Sequence, residues 1–151
     1  MEGSVMSHIS SYYADIRLQT ALEEGKSVEQ DPGWEILNEA IWACAEEMDL
    51  DVGHSIRDYY GRLVYCDWSL SGPAFDRGIG INVNRDTGDV VFICDSYGGY
   101  ERISGEIKEK VIQNYIALCV TRALSALNYE VEVEEVKHPV DGKKVLVKGV
   151  L

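Results

Sequence analysis

Apolar positions along the 151-residue chain follow two periods, and the period changes from segment to segment. In the first stretch Ile9, Tyr12, Tyr13, Ile16 and Leu18 alternate imperfectly. That predicts a strand from about Ser7 to Arg17, after a loose leader at residues 1–5. Residues 19–31 read either as a short helix or as an acidic surface loop. The period then turns helical. Asp31 offers a capping oxygen, and Pro32 suits the first helical position, where its missing N–H costs nothing. Trp34, Leu37, Ile41, Cys44 and Met48 recur at helical spacing, with Glu35, Asn38, Glu39, Glu46 and Glu47 on much of the other face. An amphipathic helix over 32–50 is predicted, with Gly53 just beyond it.

Strand-like pieces follow. "SIRDYY" (55–60) turns at Gly61 into "RLVYCDW" (62–68). Residues 69–78 read as a loop, because they hold Gly, Pro and Ser and show no period. Ile79, Ile81 and Val83 alternate cleanly, and "DVVFIC" (89–94) is a further strand. A second helix is predicted over 104–128, with Ser104 as its cap. Its apolar face is Ile107, Val111, Ile112, Tyr115, Leu118, Cys119, Ala123 and Leu127. Residues 129–137 and 143–151 alternate with period two around the turn "HPVDG". No internal repeat or linker divides the chain. One α+β domain over 1–151 is expected, with an antiparallel or mixed sheet and two long helices packed on one face.

Charge narrows the partners. Twenty-six acidic residues stand against 14 basic ones, for a net charge of −12. Phosphate binding needs clustered Lys and Arg, so nucleic acid and anionic membranes are disfavoured. No apolar run approaches the ~20 residues that span a bilayer, and "MEGSVMSHIS" lacks the charged and apolar regions of a secretory signal. A cytoplasmic protein is expected. Cys44, Cys66, Cys94 and Cys119 show no C-x-x-C spacing, and four reduced thiols among apolar neighbours are expected.

Candidate chemistry is sparse. Residues 82–89, "NVNRDTGD", alternate oxygen-bearing side chains as a calcium loop does. Aligned from Asn82, however, the glycine arrives one residue late and Ile93 stands where a closing Glu is required. A hairpin turn accounts for every residue, with Gly88 taking a positive φ. Two Cys-Asp pairs, Cys66-Asp67 and Cys94-Asp95, end predicted strands. If those strands pair, Asp67 and Asp95 can converge and hold a metal or share a proton. Period two offers the plainer reading, with each Cys inward and each Asp in water. His8, His54 and His138 are isolated in sequence. The glycines of "SYGGYERISG" match neither a phosphate loop nor a dinucleotide motif. No cofactor and no resident metal are expected.

Several short motifs carry a resemblance. Met6-Ser7-His8-Ile9 opens the first strand, Asp95-Ser96-Tyr97-Gly98 follows the hairpin region, Gln113-Asn114-Tyr115 lies in the second helix, and a glycine turn leads into an apolar strand between Val140 and Leu151. This order resembles the small conserved reading-frame family of red-algal plastids and cyanobacteria, which has relatives in other bacteria, archaea and phages. Residues 19–31 and 69–78 are extra to that pattern, and Met6 stands where the family begins. The resemblance implies an α+β fold. The family has no established activity, so no catalytic residue is carried over.

Two functions follow as expectations. One is a non-enzymatic protein-interaction module, resting on acidic charge and on Tyr12, Tyr13, Tyr59, Tyr60, Tyr97 and Tyr100 as surface aromatics, with a basic patch on the partner. The alternative is a small metal-dependent or small-molecule enzyme using Asp67, Asp95 and His8. A homodimer through residues 143–151 is also expected, because that strand is apolar on both faces.

Overall fold

Asp31 starts the first helix as its chemistry requires, its side chain accepting the Gly33 N–H at 2.7 Å. That helix, α1, spans Pro32–Met48. The computed structural model describes residues 9–127 (the side chain of Ala21 aside), together with the backbone of 130–138 and 142–150. The chain begins with β1 (Ser10–Arg17), then two short 3-10 turns at Gln19–Leu22 and Val28–Gln30, which resolve the 19–31 ambiguity as turns in a loop. After α1 come β2 (Asp51–Arg57), β3 (Leu63–Gly72), β4 (Phe75–Val83), β5 (Asp89–Cys94) and α2 (Glu101–Ala126). β6 (Glu130–His138) and β7 (Gly142–Val150) close the order.

β1 to β5 form one sheet in the order β1-β5-β4-β3-β2, antiparallel at every pairing. β6 and β7 pair separately, and their hairpin lies against α2. The α+β architecture is thus shown, with an antiparallel rather than a mixed sheet. Ile79, Ile81 and Val83 of β4, Val90 and Phe92 of β5, and Trp68 and Leu70 of β3 share one buried face. Leu37, Ile41 and Cys44 of α1 and Ile107 and Val111 of α2 cover it. Fully burying each such side chain is worth about 1.5–3 kcal/mol.

Two predicted boundaries are corrected. Residues 69–78 are not a loop. Only Pro73 and Ala74 turn, while Leu70 and Phe75 are buried and extend the strands on either side. Ser104 does not cap α2. The helix starts at Glu101, and Ser104, 4% exposed, bonds back to the Glu101 carbonyl inside the first turn.

The β2–β3 hairpin decides the shape of the other sheet face. Gly53 pairs with Ser69 but Ser55 pairs with Tyr65, so β3 carries extra residues around Cys66-Asp67. Such a bulge bends and twists the ladder. The hairpin then folds back over β4, although β3 separates β2 from β4 in the sheet. Glycine permits this close approach: a Cβ on Gly80 would stand 2.9 Å from Cys66 Sγ and 2.9 Å from Ile93 Cγ1. Ile56 and Ile93 are buried beneath the fold.

Candidate functional site

Alternation would send Asp95 to water after the buried Cys94. The chain instead leaves the strand at Cys94, and Asp95 is 1% exposed. Its Oδ2 accepts the Tyr59 N–H at 2.9 Å, which pins the tip of the folded hairpin to the end of β5. Its Oδ1 accepts the Tyr97 N–H at 3.2 Å. Arg77 Nη1 stands 3.5 Å from Oδ1 and donates to the Asp95 carbonyl at 3.2 Å, while Nη2 donates to the Tyr97 carbonyl. Removing two charges from water costs several kcal/mol per ion. Here the opposing charge and the backbone hydrogen bonds offset that cost.

Aromatic rings build on this base. The Arg77 guanidinium lies 4.2 Å from the Tyr100 ring centre and 5.4 Å from that of Tyr59. Tyr59 meets Tyr60 and Tyr97 edge to face, at 5.4 and 4.9 Å. Tyr100 packs edge-on against buried Phe75 and donates its hydroxyl to Asp76 at 3.0 Å. At the hairpin tip, buried Asp58 accepts the N–H groups of Tyr60 and Arg62 and pairs with Arg62 Nε at 2.7 Å. Arg62 in turn covers the Tyr60 ring at 5.5 Å. Tyr59, Tyr60 and Tyr97 remain exposed. The result is a tyrosine ridge whose rings and backbone are fixed from beneath. It offers large amphipathic contact area with side-chain freedom already reduced.

Asp67 occupies a different corner. Its carboxylate accepts Arg85 Nη1 and Nη2, each at 2.9 Å, and the Val83 N–H at 2.8 Å. Arg85 also reaches Glu29 at 3.1 Å and lies 5.1 Å from the Trp34 ring centre, which itself packs on Trp68 at 4.6 Å. These bonds, chiefly those to Asp67, hold the Arg85 proton more tightly than usual. The strand registers set Asp67 level with Asn82 and Asp95 level with Gly78, on opposite sides of β4, so ~13 Å along β4 and the width of that strand lie between them. The structure therefore does not bring the two carboxylates together, and each has its own arginine. It also departs from the plain alternation reading, since Asp95 is buried and Cys66 faces Gly80 on the outer side.

His54 is exposed, with Nδ1 2.7 Å from the Asp67 carbonyl. His8 and the side chain of His138 lie outside the described residues. Among the described residues, no group of three His, Cys, Asp or Glu side chains could hold a metal ion. Residues 84–88 form the predicted turn: Asn84 Oδ1 accepts the N–H groups of Asp86 and Thr87, and Gly88 has φ +78°. All four cysteines are free. Burial, with Glu47 nearby, pushes the Cys44 thiol up to about 12, and burial with the Asp67 charge pushes Cys66 up to about 11.

Four of the six tyrosines named from sequence, Tyr59, Tyr60, Tyr97 and Tyr100, come together. Tyr12 and Tyr13 lie on β1, where Lys108 Nζ stands 3.6 Å from the Tyr12 ring centre. Sequence reasoning missed Arg77, because 69–78 read as loop, and Asp58, whose one signal was its place ahead of a turn. No helix among the described residues is long and apolar enough to cross a membrane. No protein-family model, curated protein or solved structure matches the chain.

Proposed function

We propose that this chain is a non-enzymatic protein-interaction module of the cytoplasm, and that the tyrosine ridge is its contact surface. One observation carries the reading: Tyr59, Tyr60 and Tyr97 are exposed, yet their rings meet edge to face, with Tyr59 held against Arg77, which pairs with buried Asp95, and Tyr60 against Arg62. Tyrosine and arginine dominate the energetic centres of protein interfaces. A ring already held by its neighbours loses less freedom on binding, so more of the contact energy is retained. The net charge of −12 adds long-range attraction for a partner with a basic patch, and disfavours nucleic acid and anionic membranes. The enzyme reading that paired Asp67 with Asp95 lacks comparable support, given the separation of the two carboxylates along β4.

The test compares the wild-type chain with Tyr60→Ala/Tyr97→Ala, both immobilised and exposed to one cell extract. A protein held by the wild type, reduced at least about tenfold on the variant and released between about 50 and 300 mM salt, supports the reading. Equal retention on both chains removes the ridge as the contact surface. Turnover of a small molecule by the purified chain, abolished in Asp67→Asn, would overturn the non-enzymatic reading.

A further inference from the structure

We infer that a second copy of this chain docks on the C-terminal half of α2, forming an antiparallel helix pair about a two-fold axis. The buried residues of α2, Ser104, Ile107 and Val111, all lie in its first half. Beyond them, Ile116, Val120 and Leu127 are 54%, 38% and 65% exposed, and Ala123 between them is exposed as well. Their spacing is four, three, four, so they form a single stripe with the repeat of a coiled-coil seam.

The occupant follows from symmetry and charge. A four-three-four stripe reads the same in both directions. Antiparallel pairing therefore sets Ile116 against Leu127 of the second copy, and Val120 against its Ala123, with the axis beside Thr121 and Arg122. A two-fold interface requires this self-complementarity. Charge points the same way. Between Asn114 and Leu127 the one charged residue is Arg122, which is already paired with Glu39. Two chains of net charge −12 repel through their acidic surfaces and meet at least cost along an uncharged seam. A basic partner, which that net charge attracts, finds no carboxylate on the stripe to pair with. A groove of about 540 Å³ between β1 and α2, with Ala14, Ile16, Ile112, Tyr115 and Ile116 in its lining and the charged Asp15 and Arg17 of β1 beside them, opens at the end of the stripe where the copy's Leu127 arrives. The seam is short for a standard interface, so the dimer is micromolar rather than nanomolar. It differs from the seam expected on residues 143–151, whose 142–150 backbone lies against α2.

Sedimentation velocity of the full chain over about 1–200 µM decides it. The wild type should show a monomer–dimer equilibrium that tightens as salt screens the net charge. Ile116→Glu/Val120→Glu should weaken the dimer at least about 100-fold with an unchanged circular dichroism spectrum, since both residues are exposed. Trp42→Glu on the exposed face of α1 and the ridge variant Tyr60→Ala/Tyr97→Ala should leave it intact. A monomer at the highest concentration overturns the inference. So does a dimer that survives Ile116→Glu/Val120→Glu but is lost in Val147→Lys.

Discussion

Replacing Asp95 with alanine should unfasten the β2–β3 hairpin without dissolving the sheet beneath it. Three partners lose their acceptor at once: the Tyr59 N–H at 2.9 Å, the Tyr97 N–H at 3.2 Å and Arg77 Nη1 at 3.5 Å. Water can reach the exposed segments around Tyr59 and Tyr97, so each freed N–H costs about 1 kcal/mol, the low end of the range for an unsatisfied group. Arg77 is the larger cost. Its side chain is 13% exposed and loses its counter-charge, though it keeps the carbonyls of Asp95 and Tyr97. Breaking one partner of a buried pair typically costs 3–5 kcal/mol, and the retained carbonyls favour the lower part, about 3. With the two freed N–H groups the loss is about 5 kcal/mol, which for a chain of this size lowers Tm by roughly 10–20 °C. Urea and thermal melts of the two chains would measure the loss. Amide exchange adds a local readout, in which residues 55–64 should lose protection before β4 and β5. A loss below about 1 kcal/mol, or an evenly spread gain in exchange, would refute the reasoning. A double-mutant cycle with Arg77→Ala should return a coupling of at least about 1 kcal/mol.

Other expectations follow from the same geometry. Gly88→Ala should cost more than about 2 kcal/mol, because it adds a Cβ against the Leu18 carbonyl at φ +78°. Gly99→Ala, at φ +99° in open space, should cost only the backbone strain of about 1–2 kcal/mol, and equal urea midpoints for the two would contradict this. In native alkylation at pH 8, Cys44 and Cys66 should react far more slowly than in the unfolded chain, as their raised thiols predict, and the unmodified denatured mass should show four thiols. Rapid labelling of buried Cys44 before unfolding would count against its placement. Burial opposes the charge of Asp31, but hydrogen bonds from Thr20 and Gly33 outweigh it and hold its carboxyl below the ordinary value. Its contribution to stability is therefore complete above about pH 4 and is lost as pH falls through the lowered value. Asp31→Asn should flatten the fall in urea midpoint between about pH 5 and pH 3, and an unchanged slope would assign the acid sensitivity elsewhere.

Much of this architecture was legible without coordinates, wherever local chemistry alone sets the backbone. Asp31-Pro32 marks the start of α1 because a cap and a missing N–H act within one turn. Ile79, Ile81 and Val83 reveal β4, since a one-residue slip would turn all three to the wrong face. Asn84 and Gly88 specify their turn through bonds to one another and to neighbours at most five residues away. The ridge was legible only as a list of tyrosines.

Tertiary structure decided the rest. Asp95 and Tyr59 lie 36 residues apart, and nothing in either neighbourhood announces that one accepts the other's N–H. The alternation that would put Asp95 in water is a rule for regular strands, and the strand stops one residue before it. The bulge at Cys66-Asp67 likewise breaks period two, and it does so where folding β2 and β3 across Gly80 buries Ile56 and Ile93. Asp67 and Asp95 appear equivalent as two Cys-Asp strand ends. They sit at different points along β4 because β3 runs on past Asp67 through Gly72, whereas β5 stops at Cys94, directly before Asp95. Sequence alone determined both helices, most strands and the 84–88 turn, because those choices rest on interactions a few residues long; the strand residues either side of Pro73-Ala74 carry no such local signal. Which of them share a site was set by long-range packing, whose contacts join segments that carry no local mark of one another.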